Sequence, residues 1–249
     1  MKVGPDTLMP ILRVRAGDVP QRLLVVGDPA RAARVAGMLA DSREISRNRE
    51  YVLFAGSHAG ETIGVASHGV GSAGAAVCFE ELCRAGAQRI IRAGTCGGMQ
   101  SHVLDGDLVI AHGAVRDDGV TPKLVPLGFP AIASADIVGS LRAAAARRTL
   151  QPVEGVVLTS DLFYPHEALG SDLPMWQRTG VVAVEMECAA LFITAALHGV
   201  STGAILAVDG NPLAARDDDM AGYNPHRPVV DAAVASMIEV GLDAVAAPL

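Results

Sequence analysis

Lysine is nearly missing from this chain. Of its 20 basic residues only Lys2 and Lys123 are lysines, which leaves 18 arginines. Neither lysine follows a glycine-rich turn, so the Gly-Lys-Ser/Thr phosphate signature is absent. Neither stands in an obvious buried strand, which argues against a Schiff-base lysine. No run of Lys or Arg occurs and the formal net charge is −7, so a nucleic-acid partner has no electrostatic footprint. The four cysteines, Cys78, Cys83, Cys96 and Cys188, lack C-x-x-C spacing and read as unpaired small core residues in a reducing compartment. The seven histidines show neither H-E-x-x-H nor clustered ligand spacing, so no metal is expected. No stretch approaches the ~20 apolar residues of a membrane span, and MKVGPDTLMPILRVRAGD has no signal-type apolar region. A cytoplasmic protein without membrane or nucleic-acid partners is the expectation.

What is present is apolar. Half of the 249 residues are hydrophobic, which suits one compact α/β domain, or at most two small ones, with a sizeable core; a single domain over residues 1–249 is expected. RLLVVGDP (22–29) is a short apolar strand ending in a Gly-Asp-Pro turn, followed by the helix-like ARAARVAGMLA. Residues 51–67 alternate and turn at SHAGE, as two paired strands do. AGAAVCFEELCRAG (73–86) has helical spacing, with Val77, Cys78 and Leu82 assigned to one side. RIIRAG (89–94), DLVIAHGAV (107–115), GVVLTSD (155–161), GVVAVEME (180–187) and TGAILAVDG (202–210) read as further strands. Helical stretches near 134–148, 187–198 and 228–246 separate or follow them. Strands alternating with helices predict a mixed or parallel sheet between helix layers. The Gly-, Pro- and Asp-rich segment 210–228 follows a strand directly, where a flap over a ligand would sit.

In SHGVGSAG (67–74), Gly69, Gly71 and Gly74 spell G-x-G-x-x-G. A dinucleotide site also needs an acid about 20 residues on, at the end of the next strand. Here that strand carries Arg92, so the NAD reading fails and the glycines serve a tight strand-to-helix turn. Other strand ends are more informative. Arg31 follows Gly27-Asp28-Pro29. Arg92 lies in R-A-G-T-C-G, where Gly94, Thr95, Gly97 and Gly98 leave room for backbone N–H groups to approach a ligand. Arg49 lies in N-R-E-Y. An isolated arginine is often only salt-bridged, but arginines beside glycine turns and a threonine hydroxyl suit a phosphate dianion. Val184 to Glu187, V-E-M-E, place carboxylates at a strand-to-helix transition, where one could grip the vicinal hydroxyls of a sugar or simply favour the helix dipole. Asp209 ends the apolar strand AILAVD. It is either a turn residue or a partly desolvated acid with a raised pKa, fit to donate a proton.

The segments GDPARA, NREY, SHGVGSAG, FEEL, IIRAGTCGG, GDLVIA, SDLFYP, VEMECAAL and AVDG, in this order, resemble the hexameric nucleoside phosphorylases, the family of small-subunit purine nucleoside phosphorylase and uridine phosphorylase. The resemblance spans roughly residues 10–245. It implies a three-layer α/β/α sandwich around a mixed, partly barrel-like central sheet. It implies phosphate contacts from Gly27, Arg31, Arg92 and Thr95, with Arg49 reaching a neighbouring subunit's site in a homohexamer built as three dimers. It further implies Met186 and Glu187 at the ribose, and Phe163, Cys96, Gly97 and Val184 around the base. Asp209 corresponds to the acid that faces a purine. No cofactor is implied; inorganic phosphate is a co-substrate.

Two departures bear on specificity. The His that crosses to a neighbour's ribose in many members is replaced by Ile11. The Gln and Arg that read uracil are replaced by His166 and Ala168. The second departure, together with Asp209, favours phosphorolysis of purine ribonucleosides over uridine. A nucleosidase, which uses water, lacks the arginine set seen here. A non-catalytic nucleoside-binding protein would be preferred only if Asp209 or Glu187 pointed into the core.

Overall fold

The structure, a computed structural model, describes residues 2–213 and 223–248. After a 3-10 turn at Ala16–Asp18 come β1 (Arg22–Val26), α1 (Pro29–Ala36), β2 (Ala40–Asn48), β3 (Tyr51–His58), β4 (Glu61–Ser67), α2 (Ser72–Arg84), β5 (Arg89–Gly98), β6 (Leu108–Asp117), α3 (Thr121–Leu124), β7 (Ala131–Ile132), α4 (Ala135–Arg147), β8 (Val153–Ser160), α5 (Leu173–Arg178), β9 (Ala183–Glu185), α6 (Cys188–His198), β10 (Ser201–Gly210) and α7 (Pro228–Ala246).

The strands form one mixed sheet that closes on itself. β5, β10, β6, β8 and β9 pair in a ring, because β10 bonds both β5 (parallel) and β6 (antiparallel) while β9 returns antiparallel to β5. β1, β4, β3 and β2 extend outward from β5, and β7 adds to β6. The interior strands are largely apolar, as strands covered on both faces must be: Leu23–Val26 are apolar throughout, and Ile90–Ala93 carry no exposed side chain, Arg92 being their one charged member. Helices α2 and α6 cover one side and α1, α4 and α7 the other, each with its own core. The fold is thus the mixed α/β, barrel-containing architecture expected of the resemblance. Among the described residues no helix is long and apolar enough to cross a membrane.

Three local readings need correction. The strand β2 was not foreseen: ADSREISRN is polar and mostly exposed, the composition of an edge strand that must not recruit another chain. Val77 does not share a side with Cys78 and Leu82. It is exposed, whereas Ala75, Cys78, Phe79 and Leu82 face the core, because a five-residue step from 77 to 82 overshoots one helical turn. The expected strand 180–187 shrinks to Ala183–Glu185, since Met186 and Glu187 already turn into α6. Of the expected flap 210–228, residues 214–222 lie outside the described residues.

At the far end of the molecule two arginines close α7. Arg89 donates to the carbonyls of Ala247 (2.5 Å) and Pro248 (3.0 Å), and Arg22 donates to those of Ala246 (3.1 Å) and Ala247 (2.5 Å). Cations there satisfy carbonyls that a helix leaves unbonded and complement its dipole.

Candidate active site

A cavity of about 900 Å³ opens where β1, β5, β8, β9 and β10 end. Three loops and helix starts build its rim. Asp28 caps α1 by accepting from the Ala30 N–H (2.9 Å), and Pro29 takes the first helical position, where its missing N–H costs nothing. This aims the N-terminus of α1 and the side chain of Arg31 at the cavity. Burial, and next the charge of Arg92, lower the Arg31 pKa. Two guanidinium groups thus converge with an unfavourable mutual field that an anion between them would relieve.

Arg92 is 3% exposed and lies within β5 rather than beyond its end, because the strand runs on to Gly98. Its guanidinium folds back over Gly94, where an added Cβ would lie 2.6 Å from Cζ. Gly94 therefore supplies space for a side chain, not the N–H approach expected of it. Arg92 donates from Nε and Nη2 to Glu185 Oε2 (both 3.2 Å), and Nη2 also reaches Glu187 Oε2 (2.5 Å). Burial opposes its charge, but Glu187 and Glu185 outweigh that and push its pKa up. A forked, fully free Arg92 is thus not what the structure holds.

Glu187 begins α6 yet does not cap it. Its carboxylate instead accepts the Gly71 N–H (2.6 Å) and faces Arg92. Burial raises its pKa against the pull of Arg92, and Glu185 raises it further. The helix start is capped by Glu185, which accepts from the N–H groups of Glu187 (2.8 Å) and Cys188 (2.9 Å) and from the Thr159 hydroxyl (2.5 Å). The glycine turn completes this cluster. Gly69 (φ 76°) and Gly71 (φ 88°) adopt left-handed backbone that only glycine takes without strain, and Ser72 Oγ donates to the Met186 carbonyl (2.8 Å). The turn docks onto V-E-M-E instead of cradling a pyrophosphate.

Asp209 owes its position to a β-bulge. In the ladder between β10 and β5, Val208 faces Cys96 and Gly210 faces Gly97, so Asp209 is the extra residue. Bulges re-aim side chains and recur beside active sites; here the carboxyl turns into the cavity while Ile205–Val208 stay in the core. Asp209 is 7% exposed. Burial raises its pKa, against hydrogen bonds from Tyr223 and Thr95. The Tyr223 hydroxyl donates to Oδ2 (2.8 Å), and Arg227 holds the Asp209 carbonyl (2.9 Å). The site therefore contains a buried acid whose pKa is raised, hydrogen-bonded to Thr95 and within the field of Arg31.

Of the residues singled out in the sequence, Gly27, Arg31, Arg92, Thr95, Met186 and Glu187 line the cavity. Cys96, Gly97, Val184, Phe163 and Asp209 also line it. Phe163 is 47% exposed at the mouth and packs edge-on against Tyr223 at 6.3 Å. Burial pushes the Cys96 thiol well up, so it lines the wall as a neutral group. Arg49 does not line this cavity; it sits exposed on the turn between β2 and β3. His166 and Ala168 also lie off the cavity wall, bonded to each other in an exposed loop (3.1 Å). Ile11 packs on its own core, its N–H held by Glu81 (2.9 Å).

Three residues here escaped the sequence reading: His68, Glu185 and Tyr223. Glu185 had a signal, since two acids at i and i+2 flank the strand-to-helix turn. His68 and Tyr223 had none beyond their neighbours.

Comparison with known proteins agrees with this geometry. Residues 21–246 match the family model of the phosphorylase superfamily. The chain is 38% identical over 208 residues to a purine nucleoside phosphorylase of Plasmodium falciparum, covering 83% of this chain and 85% of that one. It is 35% identical over 207 residues to a uridine phosphorylase of Treponema pallidum, covering 80% of each. The crystal structure of purine nucleoside phosphorylase from Toxoplasma gondii in complex with immucillin-H superposes with a TM-score of 0.91 at 33% identity, over 99% of this chain and 98% of that one. With a family match over nearly its whole length and a cavity that brings two arginines together with buried carboxyls, the chain belongs to the phosphorylase superfamily and is a nucleoside phosphorylase.

Proposed function

We propose that the enzyme cleaves purine ribonucleosides of the inosine and guanosine type, giving the free base and ribose 1-phosphate. The observation that carries this reading is Asp209: a bulged, buried acid with a raised pKa, facing the cavity rather than the core. A departing purine gathers negative charge that a proton at N7 relieves, and uracil has no N7. The relatives named as purine nucleoside phosphorylases support the same choice.

In this reading Arg31, Arg92, Thr95 and the backbone at Gly27 hold phosphate, and Arg49 completes the site of a neighbouring subunit in a homohexamer. Met186 and Glu187 hold the ribose, Glu187 through its hydroxyls. Phe163, Cys96, Gly97 and Val184 surround the base. A phosphate oxygen bonds to C1′ as the bond from C1′ to N9 breaks; the bonding pair leaves with the purine, and Asp209 gives its proton to N7. Positive charge on the ribose ring is met by the phosphate itself, which the arginines orient.

Uridine phosphorolysis is the second reading, favoured by the uridine phosphorylase relative. A panel of inosine, guanosine, adenosine, methylthioadenosine and uridine, compared by kcat/KM at fixed phosphate, separates the two. Inosine or guanosine should lead; uridine in first place would reject the purine assignment.

A further inference from the structure

We propose that His68 is a positioning residue of this site: its Nε2 lone pair fixes the Arg92 guanidinium and, through it, the carboxylate of Glu187. The inference rests on the reading that Arg92 serves phosphate and Glu187 the ribose.

His68 opens the glycine turn and is wholly buried, its ring edge-on to Phe79 at 5.2 Å. Nδ1 lies 2.8 Å from the Gly69 carbonyl oxygen, which can only accept. Nε2 lies 3.0 Å from Nη1 of Arg92, which can only donate. The two partners leave one arrangement: the proton on Nδ1, the lone pair on Nε2. Burial, then the Arg92 charge, hold the imidazole well below its ordinary pKa, so the ring stays neutral.

The choice of a neutral acceptor has a physical reason. Glu185 and Glu187 already set two negative charges against one guanidinium. A third carboxylate on Nη1 would deepen the negative field beside the place where phosphate must sit. Imidazole restrains Nη1 with a directional bond and adds no charge. The guanidinium is then gripped on three sides, by Glu185, Glu187 and His68, and Gly71 grips Glu187 from the same turn. Two residues of one glycine turn thus set both members of the pair formed by Arg92 and Glu187.

The test separates the two ring nitrogens. In His68→Gln the amide reaches the place of Nε2 and can present its oxygen to Arg92. In His68→Asn it reaches only the place of Nδ1 and keeps the Gly69 side. With the best nucleoside of the wild type, KM for phosphate, KM for nucleoside and kcat are measured for each variant, together with melting temperature. His68→Gln should stay within about threefold of wild type, whereas His68→Asn should raise KM for phosphate about tenfold or more, the scale of a lost bond to a charged group. Rescue by asparagine and not glutamine, or equal losses that follow melting temperature, would make His68 a core residue only and overturn the proposal. Should neither variant fold, the ¹⁵N-histidine spectrum of the wild type still decides. A buried histidine with the proton on Nδ1 supports the assignment; one with the proton on Nε2 refutes it. The failures are separable: a wild type indifferent to phosphate rejects the proposed reaction, while a phosphate-dependent wild type with an indifferent His68→Asn rejects the positioning role.

Discussion

Replacing Glu187 by glutamine removes a charge and almost no volume, so the change isolates what the carboxylate does. Glu187 accepts from Gly71 N–H at 2.6 Å and faces Arg92 at 2.5 Å. An amide must turn its NH₂ toward one of these donors, which weakens the resting site whatever nucleoside follows. That cost is common to all substrates and cancels in a ratio. In the proposed reading, the part that does not cancel is the bond from the ribose 2′-hydroxyl. A hydrogen bond to a charged acceptor contributes about 1.5–3 kcal/mol and one to a neutral acceptor about 0.5–1.5 kcal/mol. The difference, about 1–1.5 kcal/mol, corresponds to roughly a tenfold change. Steady-state kcat/KM for inosine and 2′-deoxyinosine should therefore show the ribo-to-deoxy preference falling about tenfold in Glu187→Gln, on top of a loss shared by both. Equal losses for the two substrates would refute ribose recognition by Glu187 and leave it only the task of anchoring Arg92 and the glycine turn.

Asp209→Asn should lower turnover of inosine or guanosine by about 10²–10⁴-fold, the range for a lost general acid, with uridine cleavage affected far less. Because burial raises the Asp209 pKa, the protonated acid persists to higher pH than in a solvated aspartate and is lost as pH rises through its folded value; purine turnover should show that alkaline limb, and Asp209→Asn should lack it. Arg49, exposed and off its own cavity, should be needed only in an assembly: light scattering should give a homohexamer whose phosphorolysis falls in Arg49→Ala, and a fully active monomer would contradict this. Arg89→Met should destabilise by about 1–2 kcal/mol through lost bonds to the end of α7, partly offset because Arg22 holds the same Ala247 carbonyl. The urea midpoint should drop with an unchanged slope, and an unchanged or higher midpoint would show the cap to be dispensable.

The parts of the fold that the sequence foretold are those where one residue pattern decides the local state. LLVV (23–26) and AILAV (204–208) are apolar without interruption, and a strand covered on both faces needs nothing else. The barrel was foretold by the family resemblance alone, because its closure depends on β10 bonding β5 on one side and β6 on the other, and neither pairing leaves a trace in spacing. Edge strand β2 was hidden by the charges that protect it. Within the site, arginines and acids near glycines were legible as chemistry, and the cavity gathers all of them except Arg49. Their partnerships were not legible. Arg92 was read only as a phosphate contact and is also tied to Glu185, Glu187 and His68, because a buried guanidinium must find acceptors from whatever elements surround it. Asp209 was identified at a strand end, but the bulge that turns it into the cavity belongs to the ladder, not to the residue.

Inosine incubated with the purified enzyme, with and without inorganic phosphate, tests the central claim most directly when hypoxanthine and the sugar product are both followed. The account predicts that base release requires phosphate and is matched by an equal amount of ribose 1-phosphate. Hypoxanthine released at the same rate without phosphate, together with free ribose, would contradict it.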